Sequence, residues 1–195
     1  MRESTLYLPL LSTKIESTLA DNIESILTNW TTESKPPSVG GKWPFVASYR
    51  TKESIFNKIE AYKYIEDSQI LDLFGGSGNL GFEAISRGAR HVTFVELDSK
   101  NVKLIEKTAE QFGIAKQIRA QVSDVQKHLA GPAVPYDFIF CDPPYDYPFM
   151  EEMIDLVLEK NWLNENGWFI LEHDKYHNYK KHPHCFFAKA YGRTT

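Results

Sequence analysis

The sequence predicts an α/β fold in which helices cover both faces of an open, mostly parallel β-sheet. From Gln69 onward, short apolar runs alternate with amphipathic stretches, which is how successive βαβ units appear in sequence. The first apolar run leads directly into a glycine-rich segment, 75–81, of the kind that joins a strand to a helix. At 195 residues, of which 42% are hydrophobic and 25% charged, the chain is long enough for one packed core.

The apolar runs after Gln69 predict six strands and the helices between them. The strands cover residues 70–74, 91–97, 117–122, 136–141, 167–172 and 185–190. The helices cover residues 79–87, 99–112 and 148–160. A further helix is expected at 52–62, because Ile55, Phe56 and Ile59 recur on one side of it.

The amino-terminal part of the chain has a different pattern. Apolar residues between positions 15 and 27 recur with a spacing close to the helical period, which predicts an amphipathic helix at 11–30. Two prolines and two glycines then interrupt any regular element in 31–44, which we interpret as a linker. We therefore expect an amino-terminal helical extension and linker at 1–45, followed by an α/β domain at 46–195.

Charge and composition exclude several functional classes. The net charge of −4 argues against a protein that coats nucleic acid by bulk charge, although the tail after His173 has five Lys and Arg residues against one Asp. The sequence has neither a membrane-length apolar run nor a signal-peptide pattern, and its two cysteines are far apart. We expect a cytoplasmic monomer that contacts neither a membrane nor a metal.

The glycine-rich segment contains a GxGxxG pattern directly after the strand 70–74. Glycine lets the backbone turn sharply and approach a ligand closely, and the start of a helix offers free N–H groups. We therefore assign Phe74, Gly75, Gly76 and Gly78 to a cofactor site. A tight turn that binds no ligand is the alternative interpretation of this pattern on its own.

Three acidic residues favour an adenosine-containing ligand that carries no phosphate. Glu96 ends the second strand, about 20 residues after the glycines, where a carboxylate binds ribose hydroxyls, and Leu97 belongs to the same site. Asp72 precedes the glycines, where it would repel a pyrophosphate but accept hydrogen bonds from the ammonium group of S-adenosylmethionine. Asp124 follows the third strand, where it could bind the adenine amino group or, equally, cap the next helix.

The strand Tyr136–Cys141 ends in the tetrapeptide Asp142-Pro143-Pro144-Tyr145. A base amino group is a poor nucleophile, because its lone pair is delocalised into the ring. Asp142 and the Pro143 carbonyl could accept its two N–H bonds and turn the lone pair toward a sulfonium methyl, while the prolines stiffen the loop. Tyr145 could stack on the base. We assign these four residues to catalysis without a metal, and a plain turn is the alternative.

Three segments together resemble the RsmD-like family of bacterial small-subunit ribosomal RNA guanine-N2 methyltransferases. They are DLFGGSGNLGFEAISRGA (72–89), VELD (95–98) and DPPY (142–145). The resemblance implies a Rossmann-like class I methyltransferase fold with seven strands, S-adenosylmethionine as donor and S-adenosylhomocysteine as product. It also implies that the acceptor is a guanine N2 amine of 16S ribosomal RNA. Because the net charge is −4, we expect a small-subunit assembly particle to be a better substrate than naked RNA, although the sequence leaves both open.

The ends of the chain depart from the family pattern. Residues 48–57 resemble a degraded form of a segment that lines the donor site in the family, which assigns Arg50 to cofactor binding. The family's basic amino-terminal hairpin is replaced by the predicted helix 11–30. The family's last strand follows a Tyr-Gly like Tyr191-Gly192, but the sequence ends at Thr195. Either this strand is missing or the amino-terminal segment covers the sheet edge.

Three other functions fit parts of this pattern. An adenine-N6 methyltransferase acting on DNA or RNA is possible, because the tetrapeptide serves any base amine. A nicotinamide oxidoreductase is disfavoured by Asp72. A non-catalytic relative that binds S-adenosylmethionine is disfavoured by the intact Asp142 and Tyr145.

Other conspicuous side chains are assigned structural roles. We interpret Cys141 as a small buried apolar residue, and Arg87 and Arg90 as surface charges. Four histidines are assigned to a solvated basic loop in preference to a metal site: His173, His177, His182 and His184.

Overall fold

The computed structural model describes residues 4–9, 49–144, 146–173, 179, 182–185 and 187–189. The predicted helix 11–30 and the linker 31–44 lie outside these residues, as does Tyr145. The division of the chain into 1–45 and 46–195 therefore stays a prediction.

The strands of the described residues form one seven-stranded sheet with the order β4-β3-β2-β5-β6-β1-β7. Strands β2 to β6 are parallel, and β1 is antiparallel to both of its neighbours, β6 and β7. The strands are β1 (Ser4–Pro9), β2 (Gln69–Leu73), β3 (His91–Glu96), β4 (Ile118–Val122), β5 (Tyr136–Cys141), β6 (Leu163–His173) and β7 (Phe187–Lys189). The predicted α/β fold with a mostly parallel sheet is confirmed.

In the part of the chain that the structure describes, five α-helices lie between these strands. They are α1 (Tyr49–Glu60), α2 (Asn79–Ser86), α3 (Ser99–Gln111), α4 (Val125–Ala130) and α5 (Met150–Glu159). The short helix α4 is additional to the helices that the periodicity predicted, and β6 begins four residues before the predicted strand. None of the helices that the structure describes is long and apolar enough to cross a membrane.

Each face of the sheet carries its own apolar core. On one face, α1, α2 and α3 pack on β2, β3 and β5 through residues such as Phe56, Phe82 and Phe94. On the other face, α4 and α5 pack through residues such as Leu129 and Met153. Side chains alternate between the two faces along a strand, so both faces of the central strands are apolar and buried. The predicted inward orientation of Ile55, Phe56 and Ile59 is confirmed.

The amino-terminal strand β1 lies between β6 and β7. Leu6 pairs with Leu171 of β6 on one side and with Ala188 of β7 on the other. The sheet therefore reaches seven strands, because the amino-terminal segment supplies a strand that covers β6, in agreement with the second alternative, while β7 forms the outer edge. The sequence predicted no element at residues 4–9, which form this strand.

Two other expectations about side chains were wrong. Arg87 forms ion pairs with Glu60 at 2.6 Å and Glu83 at 2.8 Å, and its guanidinium lies 5.1 Å from the centre of the Phe56 ring. It therefore fastens α1 to α2 instead of remaining a free surface charge. His173 is buried at the end of β6 against the Tyr179 ring, so it does not belong to a solvated loop.

Candidate active site

The glycine loop follows β2 through an unusual backbone path. Phe74, Gly76 and Gly78 have φ angles of 58°, 53° and 82°. A positive φ is uncommon for a residue with a β-carbon, so the conformation of Phe74 is held by its surroundings. The Gly75 amide donates to the carbonyl of Val95 at 3.1 Å, which ties the loop to β3. The loop thus turns the chain sharply into α2 above the ends of two neighbouring strands.

Asp72 lies beneath the glycine loop and supports it. Its side chain is 2% exposed, and its Oδ2 accepts a hydrogen bond of 2.9 Å from the backbone amide of Gly81 in α2. The pKa of the Asp72 carboxyl is raised to about 8, mainly by burial and to a lesser extent by the nearby carboxylates of Asp142 and Glu96, while the Gly81 hydrogen bond acts in the opposite direction. Asp72 is therefore close to the acids of the site but lies under its surface.

Glu96 connects the glycine loop with the end of β3. Its Oε2 accepts from the Gly76 amide at 2.7 Å, and its Oε1 accepts from the Asp98 amide at 2.8 Å. These bonds orient the carboxylate, and each oxygen keeps a further lone pair for a ligand. Leu97 follows with 69% of its surface exposed, which gives the site an apolar wall beside the carboxylate.

Asp124 and Asp98 occupy equivalent places after neighbouring strands. Each side chain caps the helix that follows: Asp98 accepts from the Lys100 amide at 2.8 Å, and Asp124 accepts from the Lys127 amide at 2.9 Å. The helix-cap interpretation of Asp124 is therefore confirmed. The same carboxylate also faces the cavity described below, so the two roles that the sequence left open are compatible.

The tetrapeptide follows β5, which is paired directly with β2. Pro143 is buried, Asp142 is half-buried, and the Pro144 carbonyl accepts from the Tyr147 amide at 3.1 Å, which closes a turn after the prolines. Cys141, just before this loop, is buried with its Sγ 3.4 Å from the Met153 sulfur. The interpretation of Cys141 as a buried apolar residue is confirmed.

One cavity of about 510 Å³ joins these elements at the carboxyl ends of the parallel strands. Its volume is within the range of about 300–1,000 Å³ that small ligands occupy. It is lined by seven of the predicted site residues, Phe74, Glu96, Leu97, Asp124, Asp142, Pro143 and Pro144, and also by Asp98, Val125 and Tyr147. Three other predicted site residues, Gly75, Gly76 and Gly78, follow Phe74 in the loop but are not among the lining residues. The side chains of Arg50 and Tyr145 lie outside the described residues.

The charge of the cavity distinguishes between classes of ligand. Four carboxylates line it, those of Glu96, Asp98, Asp124 and Asp142, and no lysine or arginine of the described residues does. Such a lining attracts a cation and repels phosphate groups. Within the same described part of the chain, no cluster of three or more His, Cys, Asp or Glu residues has the arrangement of a metal site.

Three lining residues were missed in the sequence. Asp98 and Val125 each follow a predicted acidic residue within two positions, so their place beside the strand ends could have been inferred. Tyr147 gave a weaker signal, because an aromatic residue three positions after Pro144 is equally common on a surface. Its ring packs edge-on against Phe74, with the ring centres 4.9 Å apart.

Comparison with known proteins gives relatives with the same fold. The chain is 37% identical over 133 residues to ribosomal RNA small subunit methyltransferase D of Haemophilus influenzae, which covers 65% of this chain and 66% of that protein. It is 34% identical over 125 residues to the Escherichia coli K12 protein of the same name, covering 63% and 61%. The chain thus spans slightly less than two thirds of these relatives.

A solved structure and a family model agree with this result. The yhhF structure from Escherichia coli superposes with a TM-score of 0.61 at 32% identity and covers 65% of this chain and 68% of that one. The sheet and its helices therefore form a Rossmann-like class I methyltransferase fold. The model of the family described as conserved hypothetical protein 95 matches residues 47–195. The chain therefore belongs to this family, the RsmD-like family that its three motifs resemble.

Proposed function

We propose that this protein transfers a methyl group from S-adenosylmethionine to the N2 amine of a guanine in small-subunit ribosomal RNA. One observation carries the proposal: a single acidic cavity joins the Glu96 and Asp124 carboxylates to the Asp142-Pro143-Pro144 loop. The end proposed to bind the nucleoside and the end proposed to bind the amine would thus be adjacent. The names of the two relatives support ribosomal RNA as the substrate.

The lining residues fit the donor by their chemistry. The Glu96 carboxylate would accept from the ribose hydroxyls, Leu97 would pack against the adenine, and Asp124 would accept from its amino group. The positive charges of the sulfonium and the ammonium suit a cavity with four carboxylates. When bound, this cofactor supplies a methyl group on a good leaving group, and for that reason the proposed reaction needs no metal.

The tetrapeptide would position the acceptor amine. Asp142 and the Pro143 carbonyl would accept its two N–H bonds, which orients the nitrogen lone pair toward the methyl group. The cofactor would supply the methyl group and leave as S-adenosylhomocysteine, and the proton that the nitrogen gives up would pass to the Asp142 carboxylate or to solvent. Tyr145, by its position in the motif, would stack on the target base. The Pro144 carbonyl is already engaged by the Tyr147 amide, which favours Pro143 as the acceptor.

The experiment is the identification of the methylated product. Purified protein, tritiated S-adenosylmethionine and either small-subunit particles or naked 16S ribosomal RNA are incubated, and the RNA is digested to nucleosides. We expect label in N2-methylguanosine, with particles as the better substrate, because a net charge of −4 gives weak binding to bare RNA. Protein with Asp142→Ala is the control for a contaminating activity.

Each alternative outcome has a distinct consequence. Label in N6-methyladenosine would replace guanine by adenine as the acceptor but leave the cofactor site intact. Tight binding of S-adenosylhomocysteine without label in any nucleic acid would favour the non-catalytic relative. If the protein bound NADH but not S-adenosylhomocysteine, the proposal as a whole would be overturned.

A further inference from the structure

The charge of the cavity opposes the backbone of the substrate proposed above. Its four carboxylates suit a cationic donor, but they repel the phosphates on either side of a target nucleotide. Charges interact over about 10 Å at 0.1 M salt, so this repulsion extends beyond the mouth of the cavity. An RNA substrate therefore needs cations of the protein close to the mouth.

The helices α3 and α5 both begin beside the cavity and carry opposite charge. On α3, three lysines are exposed, and we call them the lysine row: Lys100, Lys103 and Lys107. The loop before α5 and the first half of that helix instead expose four carboxylates: Asp146, Glu151, Glu152 and Asp155. By charge complementarity, a phosphate backbone is attracted to α3 and repelled by α5.

The lysine row faces away from the protein and starts at the cavity. Val102, Ile105 and Ala109 form the buried side of α3, and the helical period places the row on the side turned away from them. The row begins two residues after Asp98, which lines the cavity and caps the helix. From there it extends about 10 Å along the helix. It therefore forms a cationic strip that leads away from the mouth.

Helix stability does not account for these lysines. Lys100 lies in the first turn of α3, where a cation opposes the positive end of the helix dipole. Lys103 and Lys107 are four residues apart, a spacing at which like charges destabilise a helix. In the part of the chain that the structure describes, no ion pair joins the row to Glu106 or Glu110, the exposed acids of the same helix. The pattern is instead suited to an anionic partner.

We propose that the lysine row binds the phosphate backbone of the RNA beside the target nucleotide, while the base alone enters the acidic cavity. The proposal rests on the proposed function, because it takes RNA as the substrate. The backbone then crosses the mouth of the cavity on the α3 side and avoids the acids of α5. Leu104, which is 42% exposed and adjoins Lys100 and Lys107 on the helix surface, offers an apolar contact to a ribose.

The test measures the dissociation constant of naked 16S ribosomal RNA by filter binding at several KCl concentrations. The triple variant Lys100→Gln, Lys103→Gln, Lys107→Gln keeps the helix propensity of each position but removes its charge. Loss of three phosphate contacts should weaken binding about 10- to 100-fold near 0.1 M salt and reduce the salt slope by about 2.

Single variants supply a matched control. Lys100→Gln alone should weaken RNA binding about 5-fold, as for the loss of one phosphate contact. Lys116→Gln removes the same charge from an exposed turn beyond the far end of α3, and its RNA affinity should stay within about two-fold of wild type. An equal loss for Lys100→Gln and Lys116→Gln would mean that only net charge matters, and it would overturn the inference.

Catalysis and stability distinguish RNA binding from a structural role. In the triple variant, KM for 16S ribosomal RNA should rise while kcat and the affinity for S-adenosylhomocysteine stay within about two-fold of wild type, because the row does not contact the reacting atoms. The melting temperature should not fall, because like charges are removed. An unchanged salt slope, or a lower melting temperature with weaker binding of S-adenosylhomocysteine, would overturn the inference. If the wild type binds RNA but transfers label to none, the proposed function fails instead.

Discussion

The carboxylate of Glu96 accepts the backbone hydrogen bond of Gly76 at 2.7 Å, although the two residues belong to different strand ends. Its other oxygen accepts from Asp98, so one side chain orders the glycine loop and the segment after β3 together. A ligand that bonds to Glu96 therefore meets a group that is already oriented. This preorganisation reduces the entropy that binding would otherwise lose.

Glu96→Ala is expected to weaken the binding of S-adenosylhomocysteine by about 1.5–3 kcal/mol, the usual value for hydrogen bonds to a charged group. Affinity is lost because the ribose hydroxyls lose their acceptor and because the Gly76 amide loses its hydrogen bond to Glu96. Isothermal titration calorimetry measures it. Glu106→Ala, an exposed carboxylate on α3, serves as the control and should leave the affinity unchanged. An affinity within two-fold of wild type would remove Glu96 from the ribose site.

Asp142→Ala is expected to reduce kcat at least about 100-fold while cofactor affinity changes by no more than a few-fold. The reason is that its proposed partner is the acceptor amine and not the donor. Single-turnover methylation and calorimetry measure the two quantities separately. Asp146→Ala, an exposed carboxylate in the same loop, should alter neither. A near-normal kcat for Asp142→Ala would contradict the amine-holding role.

The sign of the change in the free energy of unfolding for Gly81→Ala shows whether helix propensity or packing dominates at this position. In the interior of α2, alanine should stabilise the helix by about 1 kcal/mol relative to glycine. A β-carbon at Gly81 would, however, lie 2.3 Å from the Phe94 ring and 2.8 Å from Val92. We therefore expect net destabilisation of about 2 kcal/mol or more, measured by urea denaturation. Ser86→Ala, exposed on the same helix, should stay within about 0.5 kcal/mol of wild type.

The sequence was sufficient for the parts of the fold and site that depend on local pattern. The parallel strands and seven cavity residues followed from apolar runs, glycines and acids at fixed spacing. Each of these signals is contained within a single βαβ unit.

Features that depend on distant residues could not be predicted in this way. Because β1 lies between β6 and β7, Leu6 pairs with Leu171, which is far away in the sequence. Nothing in a six-residue strand indicates which distant strand it will pair with. Arg87 was assigned to the surface because its neighbours Glu60 and Phe56 belong to another helix. The burial of Asp72 follows from the alternation along β2, which turns Ile70 and Asp72 toward α2 and not toward the cavity.

Asp72 is expected to make stability depend on pH. Its pKa is about 8 in the folded protein and near 3.8 in the unfolded chain. Between these values the folded state retains a proton that the unfolded state has lost, so stability should fall as pH rises, by up to about 1.4 kcal/mol per pH unit. Asp72→Asn keeps an acceptor for the Gly81 amide but does not ionise.

Urea denaturation at pH 5.5 and 7.5 tests this expectation. Wild type should lose about 2 kcal/mol more than Asp72→Asn between these pH values. Subtracting the two proteins removes the contribution of histidines such as His91 and His128, which titrate in both. Parallel stability profiles would show that Asp72 is ionised in the folded protein throughout this range.

The last prediction concerns the amino-terminal strand. Leu6 has a paired strand on each side, and proline is found almost only at sheet edges because it lacks the N–H that a ladder requires. Leu6→Pro should therefore lower the free energy of unfolding by about 3 kcal/mol, seen as a lower midpoint in urea. Ser4→Pro is the matched control: Ser4 is the first residue of β1 and pairs with β6 but lies outside its register with β7, and proline is tolerated at the start of a strand. Equal midpoints for Leu6→Pro and wild type would show that β1 contributes nothing to the sheet, whereas a large loss confined to Leu6→Pro would establish that the amino-terminal strand completes it.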